Sequence, residues 1–163
     1  MKSFLSAVLA AAFAAAVVAA VSLAGGATNT GPRSVTLHLI EKDQAFGFVD
    51  NAPTSGKAHI ASAGDMFAFS ANMLTTSGKR AGTLNAYCIV TRGGKNEWSQ
   101  CNGTFGLAGG QIYATAAMHG EQSVTHVGII GGTGAYAGAR GEIVSVQSPN
   151  GNTGHDTFHL LLP

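Results

Sequence analysis

The chain has 163 residues, of which 45% are apolar and only 10% are charged, and its formal net charge is +1 at pH 7. A nucleic-acid-binding protein carries a basic excess, so this balance argues against nucleic acid as a partner. The 23 glycines, together with few charges and frequent threonine, valine and phenylalanine, predict an all-β domain with many turns.

The first 27 residues differ from the rest of the chain and have the pattern of a secretory signal peptide. Lys2 supplies a positive charge, Phe4–Leu23 is an uninterrupted segment rich in alanine, valine and leucine, and small residues at 24–27 offer a cleavage site. We therefore expect export to the periplasm or the extracellular space, and a mature domain over residues 34–163. The alternative is an uncleaved membrane anchor, because the apolar run is long enough to cross a bilayer.

The rest of the chain alternates between strand patterns and turn residues. The first predicted strand is Val35–Lys42. Asp43–Ala63 has several turn residues and no sustained periodicity, so we expect a long connection that either closes over a barrel mouth or packs outside it. Seven further strands are predicted at Met66–Thr76, Arg80–Arg92, Glu97–Leu107, Gln111–His119, Val124–Ile130, Gly141–Gln147 and Asp156–Leu162.

The spacing of these strands decides the fold class. They follow one another through short turns, which favours a closed antiparallel barrel or a sandwich. Both faces of several strands are apolar, which favours a barrel whose outside is partly covered, for example by subunit contacts. The predicted fold is therefore an eight-stranded antiparallel β-barrel. Such a barrel is wide enough either to fill with side chains or to hold one small ligand.

The stretch Val127–Val144 joins two predicted strands through a glycine-rich corner, in which Tyr136 and Arg140 are the only large side chains. A G-x-G-x-x-A pattern inside it imitates a dinucleotide-binding fingerprint, but that fingerprint opens a helix within a βαβ unit. The residues that follow alternate as in a strand. The sequence therefore argues against a nucleotide site, and no cofactor is predicted.

Cys88 and Cys101 are the two cysteines, and the midpoint between them falls in the predicted turn Gly93–Asn96. A hairpin centred there places the cysteines opposite each other on neighbouring strands. Because export leads to an oxidising compartment, we predict a disulfide between them. Closing a loop of this size contributes about 3 kcal/mol in the chain-entropy model. The alternative is a catalytic or metal-binding thiol, but no CxxC motif is present.

Three places in the chain resemble the allene oxide cyclase barrel-like family and, more distantly, the plant dirigent proteins. Residues 131–141, GGTGAYAGARG, are similar to the GG[ST]G-x-[FY]-x-x-A-x-G corner of both groups. Gly64-Asp65 is similar to their G-D strand start, where we expect Asp65 to pin the strand, and Glu41-Lys42-Asp43 is similar to the cyclase E-R-D. The resemblance implies an eight-stranded barrel with an apolar central cavity, and a homo-oligomer, by this resemblance a trimer.

The catalytic residues of the cyclases match this chain poorly. With the E-R-D aligned, the catalytic glutamate falls on His38, and the asparagines that accompany it fall on Ile40 and Ala71. The alignment directs His38 into the barrel and makes it the candidate catalytic residue, since histidine exchanges protons near neutral pH. The alternative is a structural hydrogen bond at the barrel mouth. The six histidines have no HxH or HExxH spacing, so no metal site is predicted.

Two functional hypotheses stay open. In the first, the barrel binds a small apolar molecule and guides an isomerisation or cyclisation by confining its conformation. The expected ligand-binding residues are Phe67, Phe69, Met73, Leu84 and Phe105, with Tyr136 and Arg140 added by resemblance to the dirigent proteins. In the second, the protein is a non-catalytic binding or scaffold barrel with a packed interior. A polar group in an open cavity favours the first, and a disulfide on the cavity floor favours the second.

Overall fold

The computed structural model describes residues 31–52, 61–120, 122–149 and 153–163. The predicted signal peptide lies outside these residues, as does the centre of the predicted connection, at 53–60. The described strands are β1 (Arg33–Val49), β2 (Met66–Thr75), β3 (Arg80–Arg92), β4 (Trp98–Leu107), β5 (Gly110–His119), β6 (Val124–Gly132), β7 (Arg140–Gln147) and β8 (Thr153–Leu162). Each strand pairs antiparallel with the next, and β8 pairs with β1, which closes the sheet. The predicted eight-stranded antiparallel barrel is confirmed.

Helical structure contributes little to the described part of the chain. Gly134–Tyr136 forms a single 3₁₀ turn between β6 and β7. None of the described helices has the length and apolar character needed to cross a membrane.

The two ends of the barrel differ in their connections and their packing. The turns at 76–79 and 108–109 and the glycine corner at 133–139 lie at one end, which we name the closed end. The connections after β1, β3, β5 and β7 lie at the opposite, open end. The buried core, which fills the closed half of the barrel, includes Leu39, Met73, Leu84, Phe105, Ile112, Ile129, Ile143, Phe158 and Leu160. Phe105 and Phe158 meet edge to face, with ring centroids 5.0 Å apart.

The glycine corner closes its end by packing on the turn between β4 and β5. Gly134 has a φ of +59°, and a Cβ atom there would collide with the carbonyl oxygen of Gly109. The amide of Ala135 donates a hydrogen bond to that same oxygen at 2.8 Å, and the Thr133 amide donates to the Gln111 carbonyl at 2.8 Å. Only glycine combines this backbone angle with so close an approach.

Strand β1 is longer than the sequence predicts. Its pairing with β8 ends at Lys42, but its pairing with β2 continues to Val49 after a bulge at Gln44. The expected connection therefore begins at Asp50 and not at Asp43, because the bulge breaks the alternation that sequence reasoning follows. Residues 45–49 pair with β2 and no longer with β8. Phe46 stacks on Phe67 with ring centroids 6.0 Å apart.

Asp65 pins the start of β2, as the sequence predicts. Its buried carboxylate accepts hydrogen bonds from the backbone amides of Ser62 at 2.7 Å and Asn51 at 2.8 Å, and from the Ser62 hydroxyl at 3.2 Å. The Ser62 amide is the main cause that lowers the pKa of Asp65 below 3.8, with Asn51 and the Ser62 hydroxyl adding to it. The carboxylate thus holds both ends of the connection between β1 and β2.

Replacing Asp65 with asparagine should lower the melting temperature at pH 7. A carboxylate whose pKa is depressed by folding stabilises the fold above its ordinary pKa and loses that contribution as pH falls through the folded value. The melting difference between wild type and Asp65→Asn should therefore shrink in acid, which thermal unfolding from pH 7 to pH 2 measures. Asp50→Asn, at an exposed position, is the control. Equal melting of wild type and Asp65→Asn at pH 7 would contradict this role.

Candidate functional site

A cavity of about 110 Å³ lies in the open half of the barrel, above the packed core. Its apolar wall includes Phe69, Leu84, Phe105, Met118, Val127 and Ile143, and its polar side includes Glu41, Thr125, Ser145, Gln147 and Asp156. A second space of about 250 Å³ lies at the barrel mouth, beside Asp43 and Phe46. Glu41, Phe69 and Gln147 border both spaces, so the cavity adjoins the mouth.

Two carboxylic acids lie together on the inner face of β1 and β8. Glu41 pairs with Gly154 across the two strands, and Asp156 pairs with Leu39, so that the acids are diagonal neighbours. Only 6% of Glu41 and 2% of Asp156 is exposed. A Cβ atom on Gly154 would lie 3.4 Å from Glu41 Oε2 and 3.1 Å from Gln147 Nε2. The glycine therefore leaves the space that the acidic pair and Gln147 occupy.

Burial shifts the titration of both acids. It raises the pKa of Glu41 to about 8, and the negative charges of Asp156 and Asp43 add to the rise. It also raises the pKa of Asp156 to about 6, while the Ser145 side chain and the charge of His155 act in the opposite direction. Near pH 7 Glu41 is therefore mainly protonated and Asp156 mainly ionised. The pair presents a proton donor beside a proton acceptor.

The Asp156 carboxylate is buried, and within the described residues neither of its oxygens has a hydrogen bond of ordinary geometry. Ser145 faces Asp156 across the β7–β8 pairing, and its side chain lowers the pKa of the carboxyl without forming such a hydrogen bond. In the described part of the chain no lysine, arginine or histidine lines the cavity. Nor do the described residues include three or more His, Cys, Asp or Glu side chains grouped to hold a metal ion.

The predicted disulfide between Cys88 and Cys101 is present. Cys88 is fully buried, and Cys101 lies in the cavity wall with its Sγ atom 3.3 Å from Met118 Sδ. Neither cysteine is therefore a free thiol. The disulfide forms part of the wall and leaves the cavity open.

The other predicted ligand-binding residues divide between the two halves of the barrel. Phe69, Leu84 and Phe105 line the cavity. Phe67 lies at the mouth against Phe46, and Met73 is buried in the core. Tyr136 and Arg140 lie at the closed end, where the Tyr136 hydroxyl donates to the Ala108 carbonyl at 3.3 Å and Arg140 is exposed. The structure brings the first three together and separates them from the glycine corner.

The prediction that His38 points into the barrel is wrong. Its ring lies on the exposed outer face, with Nδ1 3.3 Å from the Thr157 hydroxyl. Strand alternation puts Leu37, Leu39 and Glu41 on the inner face, and His38 therefore on the outer one. Sequence reasoning missed Glu41 and Asp156 as site residues. Their positions in phase with buried apolar residues of β1 and β8 are the signal that could have found them.

Comparison with known proteins extends the fold assignment. No family model matches the chain, and no curated protein sequence matches it. Among solved structures, a pyocyanin demethylase is 25% identical, with a TM-score of 0.66 over 77% of this chain and 99% of its own. A pterocarpan synthase dirigent protein is 18% identical, with a TM-score of 0.65 over 82% and 87%. An exo-specific intermolecular Diels-Alderase is 12% identical, with a TM-score of 0.63 over 80% and 98%. The chain therefore has the allene oxide cyclase/dirigent-like barrel fold that its sequence indicates.

Proposed function

We propose that this barrel binds a small, largely apolar molecule in its cavity and guides an isomerisation or cyclisation with the help of Glu41 and Asp156. The observation that carries the proposal is the unpartnered Asp156 carboxylate, 2% exposed, on the wall of an open cavity. An ionised group in such a place costs several kcal/mol unless it is paired. A ligand that donates a hydrogen bond or a positive charge to Asp156 would supply the missing partner.

The two acids could move a proton without a net change in their own state. Asp156 takes a proton from one atom of the bound molecule, and Glu41 donates its proton to another atom. The proton then passes from Asp156 to Glu41, which restores the pair. General acid–base catalysis of this kind contributes typically 10²- to 10⁴-fold in rate. The net result is an isomerisation, since no atom is gained or lost.

The apolar wall adds confinement to this chemistry. Phe69, Leu84 and Phe105 border the cavity and restrict the shapes that a flexible ligand can adopt. Holding reacting atoms close together lowers the entropic part of a cyclisation barrier. The Diels-Alderase that shares this fold bears the name of a ring-forming catalyst, which supports the same class of reaction here.

The second candidate is a non-catalytic exported barrel with a packed interior. The filled core of the closed half and the Cys88–Cys101 disulfide in the wall favour it. The open cavity and the unpartnered Asp156 favour the ligand-binding function instead.

We also propose that the protein is exported and assembles with copies of itself. The disulfide supports export, because such bonds persist in oxidising compartments. Met66 and Ile89 are cross-strand partners on the outer face and are 38% and 39% exposed, with Tyr87 46% exposed nearby on β3. A contiguous apolar patch of this kind is typical of a surface that contacts another protein.

Native mass spectrometry of the oxidised protein tests ligand binding directly. The protein is incubated with an organic-solvent extract of cells, which contains neutral and basic apolar molecules. Wild type should retain a small molecule, and Asp156→Asn should hold it on the order of ten- to a hundredfold more weakly, because a hydrogen bond to a charged group is lost. Glu142→Gln, an acid-to-amide change on the exposed outer face, is the matched control and should bind as wild type does. A ligand-free wild type in every extract would contradict the proposal.

A further inference from the structure

We propose that the cavity selects flat, apolar molecules that carry one positive charge, held against Asp156. The inference rests on the proposed ligand-binding function and names the class of ligand. It follows from the charges that line the cavity, from the shape of its wall, and from the size of the space.

The charge around the cavity is entirely negative in the described residues. Glu41 and Asp156 line it, Asp43 lies at the mouth, and no basic side chain is among the lining residues. Ser145 and Gln147 of β7 face the same space but carry no charge. His155, next to Asp156 on β8, is exposed on the outer face, and its charge acts on Asp156 from outside the cavity. A bound cation would supply a counter-charge inside the cavity, where the described lining residues have none, and such charge-assisted pairs are about twice as strong as neutral ones.

Part of the cavity wall is built from small residues. Ala86, Gly103, Ala114 and Ala116 lie on β3, β4 and β5 and border the cavity, beside the larger Leu84, Phe105 and Met118 of the same strands. A Cβ atom on Gly103 would lie 3.3 Å from Leu84 Cδ1 and 3.5 Å from Ala86 Cβ, so that larger side chains would fill the space. This small-residue part of the wall accepts the face of a planar molecule. Phe69 and Phe105 beside it are aromatic, and aromatic rings attract cations.

The volume limits the ligand to one or two rings. The cavity measures about 110 Å³, and the adjoining mouth adds about 250 Å³. An apolar cavity of roughly 150 Å³ in another protein holds benzene. The cavity alone is smaller than that, so a planar cationic group would lie in the cavity against Asp156 and its aromatic ring would extend into the mouth, toward Phe46.

Benzamidine, benzamide and benzoate test this inference, since they share one ring and one shape but differ in charge. Their affinities for wild type are measured by isothermal titration calorimetry at pH 7.5. Benzamidine should bind at least tenfold more tightly than benzamide, and benzoate should show no binding. In Asp156→Asn the preference for benzamidine should fall to less than threefold. Lowering the pH to 5 should reduce the wild-type preference, because Asp156 then takes up a proton.

Two controls make the outcomes separable. Glu142→Gln should keep the wild-type preference, and Ala116→Leu, which fills the cavity, should weaken all binding while its melting temperature reports its folding. If benzamide binds as tightly as benzamidine, the cavity binds ligands and only the selection of cations is overturned. If Asp156→Asn keeps the full preference, Asp156 is not the anchor and the inference fails. If none of the three probes binds wild type, the inference also fails, and capture from cell extracts then decides the proposed function separately.

Discussion

Between pH 5 and pH 9 the free energy of unfolding should fall by on the order of 5 kcal/mol. The cause is the acidic pair in the cavity, because burial raises the pKa of Glu41 from 4.5 to about 8 and that of Asp156 from 3.8 to about 6. The folded protein must ionise groups that the unfolded chain ionises at much lower pH. Chemical denaturation across this pH range measures the effect.

The sign of this effect follows from proton uptake. Between its ordinary pKa and its raised pKa, each acid binds more protons in the folded state than in the unfolded state. Stability therefore decreases as pH rises through that interval. Asp156 contributes at the acidic end of the range, up to about pH 6. Glu41 contributes over most of the range, up to about pH 8. Asp65, whose pKa is lowered, acts only below this range.

Replacing the two acids with neutral amides separates their contribution to the pH dependence of stability from that of the rest of the protein. The double variant Glu41→Gln/Asp156→Asn should lose most of the pH dependence and should be more stable than wild type at pH 9. Asp156→Asn alone should already raise stability at pH 7, since it removes a buried, unpartnered charge. Asp50→Asn, at an exposed position, should follow the wild-type curve. A wild-type stability that stays level or rises from pH 5 to pH 9 would show that the two acids are not buried together.

Loss of the disulfide is the second large effect that we expect. Cys88 and Cys101 are 13 residues apart in sequence, and opening a loop of this size costs about 3 kcal/mol of unfolding free energy in the chain-entropy model. For a domain of this length the change corresponds to a melting temperature lower by roughly 10 °C. The variant with alanine at both positions also loses the packing of Cys101 against Met118. Thermal unfolding of the oxidised wild type and the double alanine variant measures the difference.

A reductant provides the internal control for this prediction. Wild type treated with dithiothreitol should melt close to the double alanine variant, and the variant itself should not respond to the reductant. If oxidised wild type and the variant melt at the same temperature, the disulfide does not stabilise the fold.

The fold could be predicted from the sequence to a large extent, because its signals are local. Strand β3 begins at Arg80 and ends at Arg92, as the alternation of its side chains predicts. The disulfide followed from the symmetry of the two cysteines about one turn, and the pairing of Cys88 with Cys101 confirms it. Glycines at strand ends marked most of the turns. These features depend on residues that are close together in the chain.

Two sequence-based predictions are wrong, the end of β1 and the orientation of His38. In the first, one extra residue reverses the alternation of the strand, and in the second, the alignment with the cyclases disagrees with that alternation. The bulge at Gln44 hid the continuation of β1 to Val49. The alignment with the cyclases placed His38 inside, although alternation with Leu37 and Leu39 places it outside.

The acidic pair could not be found by the same local reasoning. A charged residue within an apolar face is typical of the end of a strand, and the sequence pattern accordingly puts Glu41 in the terminal E-K-D. The pattern also puts Asp156 at the first position of its strand, whereas β8 begins at Thr153. The two residues are 115 positions apart, and only the closure of β1 on β8 brings them together. Contacts of this kind depend on the whole topology.

A carboxyl titration by ¹³C NMR is the measurement that tests the central claim most directly. With labelled aspartate and glutamate, the Glu41 and Asp156 signals are assigned by the variants Glu41→Gln and Asp156→Asn. The structure predicts that Glu41 titrates with a pKa of about 8 and Asp156 with a pKa of about 6, and that the Glu41 value falls when Asp156 is made neutral. Titration of both groups near 4.5 and 3.8, their ordinary values, would contradict a buried acidic pair and the proton transfer proposed for it.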